Sequence, residues 1–217
     1  MSDAVAEKRL AAEAAAELVR DGMRVGLGTG STVAFLLAAL ARSRPRATYV
    51  ASSPATERAA RELGLEVSPF DDLDSLDLAI DGADQVAGDF WLVKGGGGAH
   101  TREKVIAAST ERFVVIVDSS KLVSSLRPPV PVEILGFGSP ATMRRLAPAT
   151  RRSVPASPDG GVLLDYQGEF DDPAALAVRL SSTPGVVEHG LFAPQLVDHV
   201  LVGRDGTVRR LSLGEAP

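Results

Sequence analysis

Met23-Arg24-Val25-Gly26-Leu27-Gly28-Thr29-Gly30-Ser31-Thr32 is the stretch that decides the fold. Residues 23–27 form a short apolar run suited to a strand, the glycines and hydroxyl residues form a turn, and residues 33–42 resume a helical pattern. Strand, tight turn and helix in direct succession are the opening unit of an α/β fold. Upstream, residues 4–20 read as an alanine-rich amphipathic helix with Leu10, Ala14, Leu18 and Val19 near one face, stopped at Gly22.

The alternation continues downstream. Residues 47–51 are strand-like, 54–63 helical, and 65–67 a short apolar segment after Gly64. Apolar runs at 76–80, 90–93 and 113–117 end in Asp81, Lys94 and Asp118, with a helix at 99–109 between the last two. Continuous apolar strands separated by helices predict a Rossmann-like, mostly parallel sheet covered by helices on both faces. Ligands in such sheets sit beyond the carboxyl ends of the strands, where the Gly-Thr-Gly-Ser-Thr turn, Asp81, Lys94 and Asp118 all fall. After the proline-rich connection at 127–131 the pattern changes. Strands are expected at 132–134, 162–165, 186–188 and 197–202, helices near 140–146 and 172–181, and turns at Asp159-Gly160 and Asp205-Gly206. The chain is therefore expected to divide into an α/β domain of residues 1–130 and 206–217, which takes in a last strand at 207–211, and a smaller α+β lobe of residues 131–205.

Bulk properties narrow the function. The 217 residues are 45% hydrophobic, enough for a buried core, and 23 Lys plus Arg against 28 Asp plus Glu leave a net charge of -5. That balance argues against nucleic-acid binding, which needs concentrated basic surface. There is no cysteine, so disulfides and thiolate metal sites are excluded, in keeping with a reducing cytoplasm. The charges among the first twenty residues are unlike a secretion signal, and no apolar run reaches the roughly 20 residues that span a bilayer.

Three segments carry chemistry. In the first turn, glycines let backbone N–H groups approach an anion, Thr29, Ser31 and Thr32 add hydroxyl donors, and a helix N-terminus follows. An ordinary capped turn is the alternative. The turn lacks the Gly-Lys-Ser/Thr ending of an NTPase loop, and Val33 stands where a dinucleotide fingerprint needs glycine. Asp81-Gly82-Ala83-Asp84 places two carboxylates where a buried strand empties into a loop, a setting that raises carboxyl pKa values and lets one hold a proton near neutral pH. A solvated turn or a metal site are the alternatives, and two Asp without a third ligand make a poor metal site. Lys94 then leads into Gly95-Gly96-Gly97-Gly98. Glycines are costly to order, so four between a strand and a helix suit close backbone approach to a ligand. Lys94 offers a point charge to an oxyanion or phosphate, and Glu103 stands about one turn into the next helix. Lys121 is either a second phosphate cation or a surface lysine. His100, His189 and His199 lack ligand-like spacing and read as structural or exposed.

In order and spacing, the residues 26–32, Asp81-Gly82-Ala83-Asp84, 94–104 and Asp118-Ser119-Ser120-Lys121 resemble ribose-5-phosphate isomerase, type A. Pro131-Val132-Glu133 and the segment 184–192 extend the similarity across nearly the whole chain. The resemblance implies an aldose–ketose isomerase that interconverts D-ribose 5-phosphate and D-ribulose 5-phosphate without cofactor or metal, in the non-oxidative pentose phosphate pathway, as a homodimer or homotetramer. It also implies that Glu103 moves the proton between C1 and C2, that Asp81 and Asp84 handle hydroxyl protons and ring opening, and that Lys94 stabilises the enediolate. Thr29, Gly30, Ser31, Thr32, Gly82, Ala83, Gly95, Gly96, Gly97 and Lys121 would contact substrate, together with Asp81, Asp84 and Lys94. Gln85 stands where the family usually has an acidic residue, His100 replaces a usually apolar one, and residues 149–161 match poorly. A sugar-phosphate sensor, or a phosphosugar lactonase or deaminase, are the rival functions on related folds.

Overall fold

The computed structural model describes residues 3–213. The outermost residues of the expected 1–130 and 206–217 segments, at both chain ends, lie outside the described residues. In chain order the elements are α1 (Asp3–Ala16), β1 (Arg24–Leu27), α2 (Ser31–Ser43), β2 (Thr48–Ala51), α3 (Pro54–Glu62), β3 (Leu78–Asp81), β4 (Gln85–Ala87) and β5 (Leu92–Val93). Then follow α4 (His100–Ala108), β6 (Phe113–Asp118), β7 (Leu122–Val123), β8 (Val130–Ile134), α5 (Ser139–Arg145), β9 (Ala149–Arg151) and β10 (Val162–Tyr166). The last are α6 (Pro173–Ser181), β11 (Val186–His189), β12 (Leu191–Phe192), β13 (His199–Arg204) and β14 (Thr207–Ser212). They fall into two compact units, one of Met1–Ala83, Arg102–Leu122 and Gln195–Pro217, the other of Asp84–Thr101 and Val123–Pro194.

The first unit is built on a six-stranded sheet of order β14-β13-β6-β3-β1-β2, parallel except for the β13–β14 hairpin. Side chains alternate across a strand, so β1 shows which helices cover which face. Val25 and Leu27 are fully buried in one cluster with Ala11, Ala12 and Ala15 of α1 and Leu36 and Leu40 of α2. Gly26 points the other way, and a Cβ there would lie 2.4 Å from Ile106 of α4. The sheet thus carries helices on both faces, as the apolar strands predict. The small residues of α1 let its backbone lie on the sheet: a Cβ on Gly203 of β13 would meet the Glu7 carbonyl at 1.9 Å. Glu7 also ties α1 to the end of β6, accepting from the Ser119 N–H at 2.9 Å and hydroxyl at 2.7 Å. Those bonds hold its carboxyl below the usual range.

The second unit contains the antiparallel sheet β11-β8-β10-β9. Val130, Val132 and Ile134 of β8, Leu164 and Tyr166 of β10, and Leu176 and Leu180 of α6 make its core. Asp172 starts α6 by accepting the N–H groups of Ala174 and Ala175. β4 and β5 also belong here, because β5 pairs antiparallel with β4 on one side and β12 on the other.

Several expectations change. The strand expected at 197–202 within the small lobe is β13, which runs parallel to β6 in the main sheet; His199 to Gly203 are all buried, the mark of a strand covered on both faces. The apolar run before Lys94 is only the two-residue β5, in an antiparallel ribbon and not in the parallel sheet. Residues 65–67 contribute a single bridge, Val67 to Tyr49. Helix α1 ends at Ala16, short of Arg20.

Candidate active site

The turn after β1 is shaped around a carboxylate. Gly28 continues the ladder by donating to the Ile80 carbonyl at 3.0 Å, and a Cβ on it would fall 1.8 Å from the Asp81 carboxylate. Only glycine lets Asp81 occupy that place. Asp81 ends β3, is 3% exposed, and its Oδ1 accepts N–H groups of Thr29 at 3.1 Å and Gly82 at 2.7 Å. The Thr29 hydroxyl turns to Ser52 and Ser53, at 2.9 and 2.8 Å, linking the first turn to the one after β2. Ser53 caps α3 through the Thr56 N–H, which accounts for both serines as partners of the turn.

Gly30, at φ +127°, starts α2 without a side-chain cap. The helix N–H groups after it therefore find no oxygen from the capping residue, a condition suited to an anion. Ser31 is exposed and Thr32 buried. Lys8 of α1 brings its Nζ to the Ser31 hydroxyl at 3.0 Å and to within 4.0 Å of Asp118. This cation was missed by sequence reasoning, since a lysine on an alanine-rich helix carries no local signal of where its ammonium ends. Asp118 is spent on the turn after β6, accepting from the Ser120 N–H and hydroxyl, and Lys121 closes that 3-10 turn, half-buried. Glu103 stands in the first turn of α4 and is 5% exposed.

The second unit holds the remaining residues. Asp84 is exposed, and its Oδ2 accepts the Gly96 N–H at 2.8 Å. Three glycines of the run have their own reasons. Gly95 has φ +106° and a Cβ there would strike the His100 ring, a Cβ on Gly96 would lie 2.9 Å from Asp84, and Gly98 has φ +75° against Leu163. Lys94 is 2% exposed with Nζ 5.3 Å from the centre of the Phe192 ring. His100, His189 and His199 are all buried. Gln85 exchanges two bonds with the backbone of Arg127, each 2.8 Å, so its amide braces a loop. Among the described residues no three His, Asp or Glu side chains cluster as a metal site requires.

Residues 48–207 match the family described as ribose 5-phosphate isomerase A (phosphoriboisomerase A). The chain is 43% identical over 220 residues to ribose-5-phosphate isomerase A of Caulobacter sp. strain K31, covering 94% of this chain and 97% of that one. The crystal structure of ribose 5-phosphate isomerase A from Neisseria gonorrhoeae aligns with TM-score 0.93 at 31% identity, covering 99% of both chains. A D-ribose-5-phosphate isomerase in complex with phospho-erythronic acid aligns with TM-score 0.88 at 33% identity, covering 94% of this chain and 97% of that one.

Proposed function

This chain belongs to the ribose 5-phosphate isomerase A family and is an aldose–ketose isomerase, and from that premise we propose that it interconverts D-ribose 5-phosphate and D-ribulose 5-phosphate by metal-free proton transfer through an enediolate. The observation that carries the mechanism is the burial of Glu103 at 5% and Lys94 at 2% exposure on either side of one glycine run. Burying an ionisable group is costly, and such groups concentrate where chemistry uses them.

In this reading the phosphate binds at the uncapped start of α2, against Ser31, Thr32 and the backbone at Thr29 and Gly30, with Lys8 and Lys121 as cations. Asp81 and Asp84 take the proton from the anomeric hydroxyl and return one to the ring oxygen, opening the furanose. Glu103 removes the C2 proton, the electron pair moves to the C1 carbonyl oxygen, and the Lys94 ammonium stabilises the negative charge that develops there. Glu103 then delivers the proton to C1 while the C2 hydroxyl proton is relayed through Asp81 or Asp84 to the C1 oxygen, leaving a ketone at C2 and a hydroxyl at C1. Electrons move only within the sugar, so the step balances without an oxidant or reductant. The reaction belongs to the non-oxidative pentose phosphate pathway, takes place in the cytoplasm, and is carried out by a homodimer or homotetramer.

Glu103→Gln tests the central assignment. Its side chain keeps its shape but cannot act as a base, so turnover of ribose 5-phosphate is expected to fall at least about 10²-fold while binding persists. Full turnover in that variant rejects Glu103 as the base. Loss of turnover in a chelator, restored by a divalent ion, rejects the metal-free mechanism.

A further inference from the structure

One residue of the segment 149–161 contacts the glycine run directly. Arg152 follows β9 with its side chain 14% exposed. Its Nε and Nη2 donate to Oδ1 of Asp165 at 2.9 and 2.6 Å, and its Nη1 donates to the Gly95 carbonyl at 2.7 Å. The Gly95 carbonyl and the Gly96 N–H are two ends of one planar peptide group. The Gly96 N–H donates to Oδ2 of Asp84 at 2.8 Å. A single peptide therefore lies between a guanidinium at its oxygen and a carboxylate at its N–H, with its dipole aligned to both. No Cβ steers that peptide, because side chains at Gly95 and Gly96 would strike His100 and Asp84. Its orientation depends on hydrogen bonds, one of which comes from the Gly98 N–H at 3.0 Å and another from Arg152.

We propose that Arg152, locked by Asp165, is a positioning residue that orients the Gly95–Gly96 peptide and through it the carboxylate of Asp84. The fork geometry matters: a guanidinium reaches Asp165 and Gly95 at once, whereas an ammonium is a single point charge. The proposal rests on the reading that Asp84 handles hydroxyl protons of the substrate.

The test is steady-state turnover of ribose 5-phosphate by Arg152→Met, Arg152→Lys and Asp165→Asn, in the unmodified chain and in an Asp84→Ala background. Arg152→Met is expected to lower kcat about tenfold, the scale of one charge-assisted hydrogen bond, with KM changed less than about threefold. In the Asp84→Ala background the same substitution is expected to cost less than about twofold, because the group it orients is gone. Arg152→Lys is expected to stay close to Arg152→Met. Asp165→Asn, which leaves Arg152 in place and only loosens it, is expected to lose about threefold. An equal loss in both backgrounds overturns the proposal, since a residue that merely holds the fold would act the same way in each. Full activity in Arg152→Lys overturns it too, by showing that charge alone suffices. Absence of turnover in the unmodified chain removes the isomerase reading, and this proposal with it. Normal turnover that ignores Arg152→Met removes this proposal alone.

Discussion

Gly28→Ala probes whether the first turn exists to seat Asp81. The added Cβ would lie 1.8 Å from Cγ and Oδ1 of Asp81 and 2.4 Å from Oδ2. That is about 1.5 Å or more inside ordinary contact, too much for a rotation of the carboxyl plane to relieve. The backbone at Gly28 has little freedom to retreat, because its N–H is held by the Ile80 carbonyl at 3.0 Å in the parallel ladder. Asp81 must therefore leave, and in leaving it gives up the N–H groups of Thr29 and Gly82. Overpacking costs roughly 1–3 kcal/mol and each bond to a charged carboxylate roughly 1.5–3, so a net destabilisation of about 3 kcal/mol is expected after partial relaxation. For a chain of this size that corresponds to a fall of roughly 6–12 °C in melting temperature. If Asp81 handles substrate hydroxyl protons as proposed, turnover should fall at least about tenfold alongside. Gly88→Ala is the control: Gly88 is exposed, a Cβ there meets nothing within 4 Å, and the change is expected to stay within about 0.5 kcal/mol. Thermal unfolding and ribose 5-phosphate turnover measure both. Unchanged melting and unchanged kcat in Gly28→Ala would falsify the account of the turn.

The other predictions concern stability. Tyr49 is buried, its hydroxyl has no hydrogen-bond partner among the described residues, and burial pushes its pKa up to about 12. Tyr49→Phe is therefore expected to be neutral or stabilising by about 1 kcal/mol in urea unfolding, and a clear loss of stability would mean the hydroxyl is engaged. His199 is 1% exposed and bonded to Asp198 at 2.8 Å, and burial lowers its pKa below the ordinary 6.5. The unfolded chain then binds the extra proton first as pH falls, so the stability linked to His199 is full above pH 6.5 and is lost as pH drops through the folded value. Urea midpoints at pH 7.5 and 5.5 should accordingly fall less in His199→Asn than in the unmodified chain, and identical falls would reject the assignment.

Much of the fold is legible in residues 23–118 because its signals are local. The apolar runs are short and uninterrupted, and the turns after them contain glycine and capping residues. β13 was harder to place. Its composition marks it as buried on both faces, but its pairing with β6 joins distant parts of the chain, and the proline-rich segment before it suggests a clean break that the chain does not make. The run before Lys94 shows the opposite limit. Two residues are too few for periodicity to tell a parallel strand from an antiparallel ribbon, and only the partners β4 and β12 decide it.

The candidate site shows where spacing stops being informative. Asp81-Gly82-Ala83-Asp84 looks like one carboxylate dyad, because three residues separate its acids. The structure gives each carboxylate a separate set of backbone donors: Thr29 and Gly82 for Asp81, Gly96 for Asp84. The glycines that make these contacts possible, Gly28 and Gly96, stand far from each other in sequence and belong to different motifs. A glycine's identity announces that something comes close, but not what. In both places the answer is a carboxylate, so the Gly-Thr-Gly-Ser-Thr turn gives one of its N–H groups to Asp81. The glycine run gives the Gly96 N–H to Asp84, and Arg152 donates to the other end of the same peptide. Lys8 and Arg152 escaped notice for one shared reason: a long cationic side chain acts several ångströms from its backbone, and nothing in its neighbours along the chain records where its charge comes to rest.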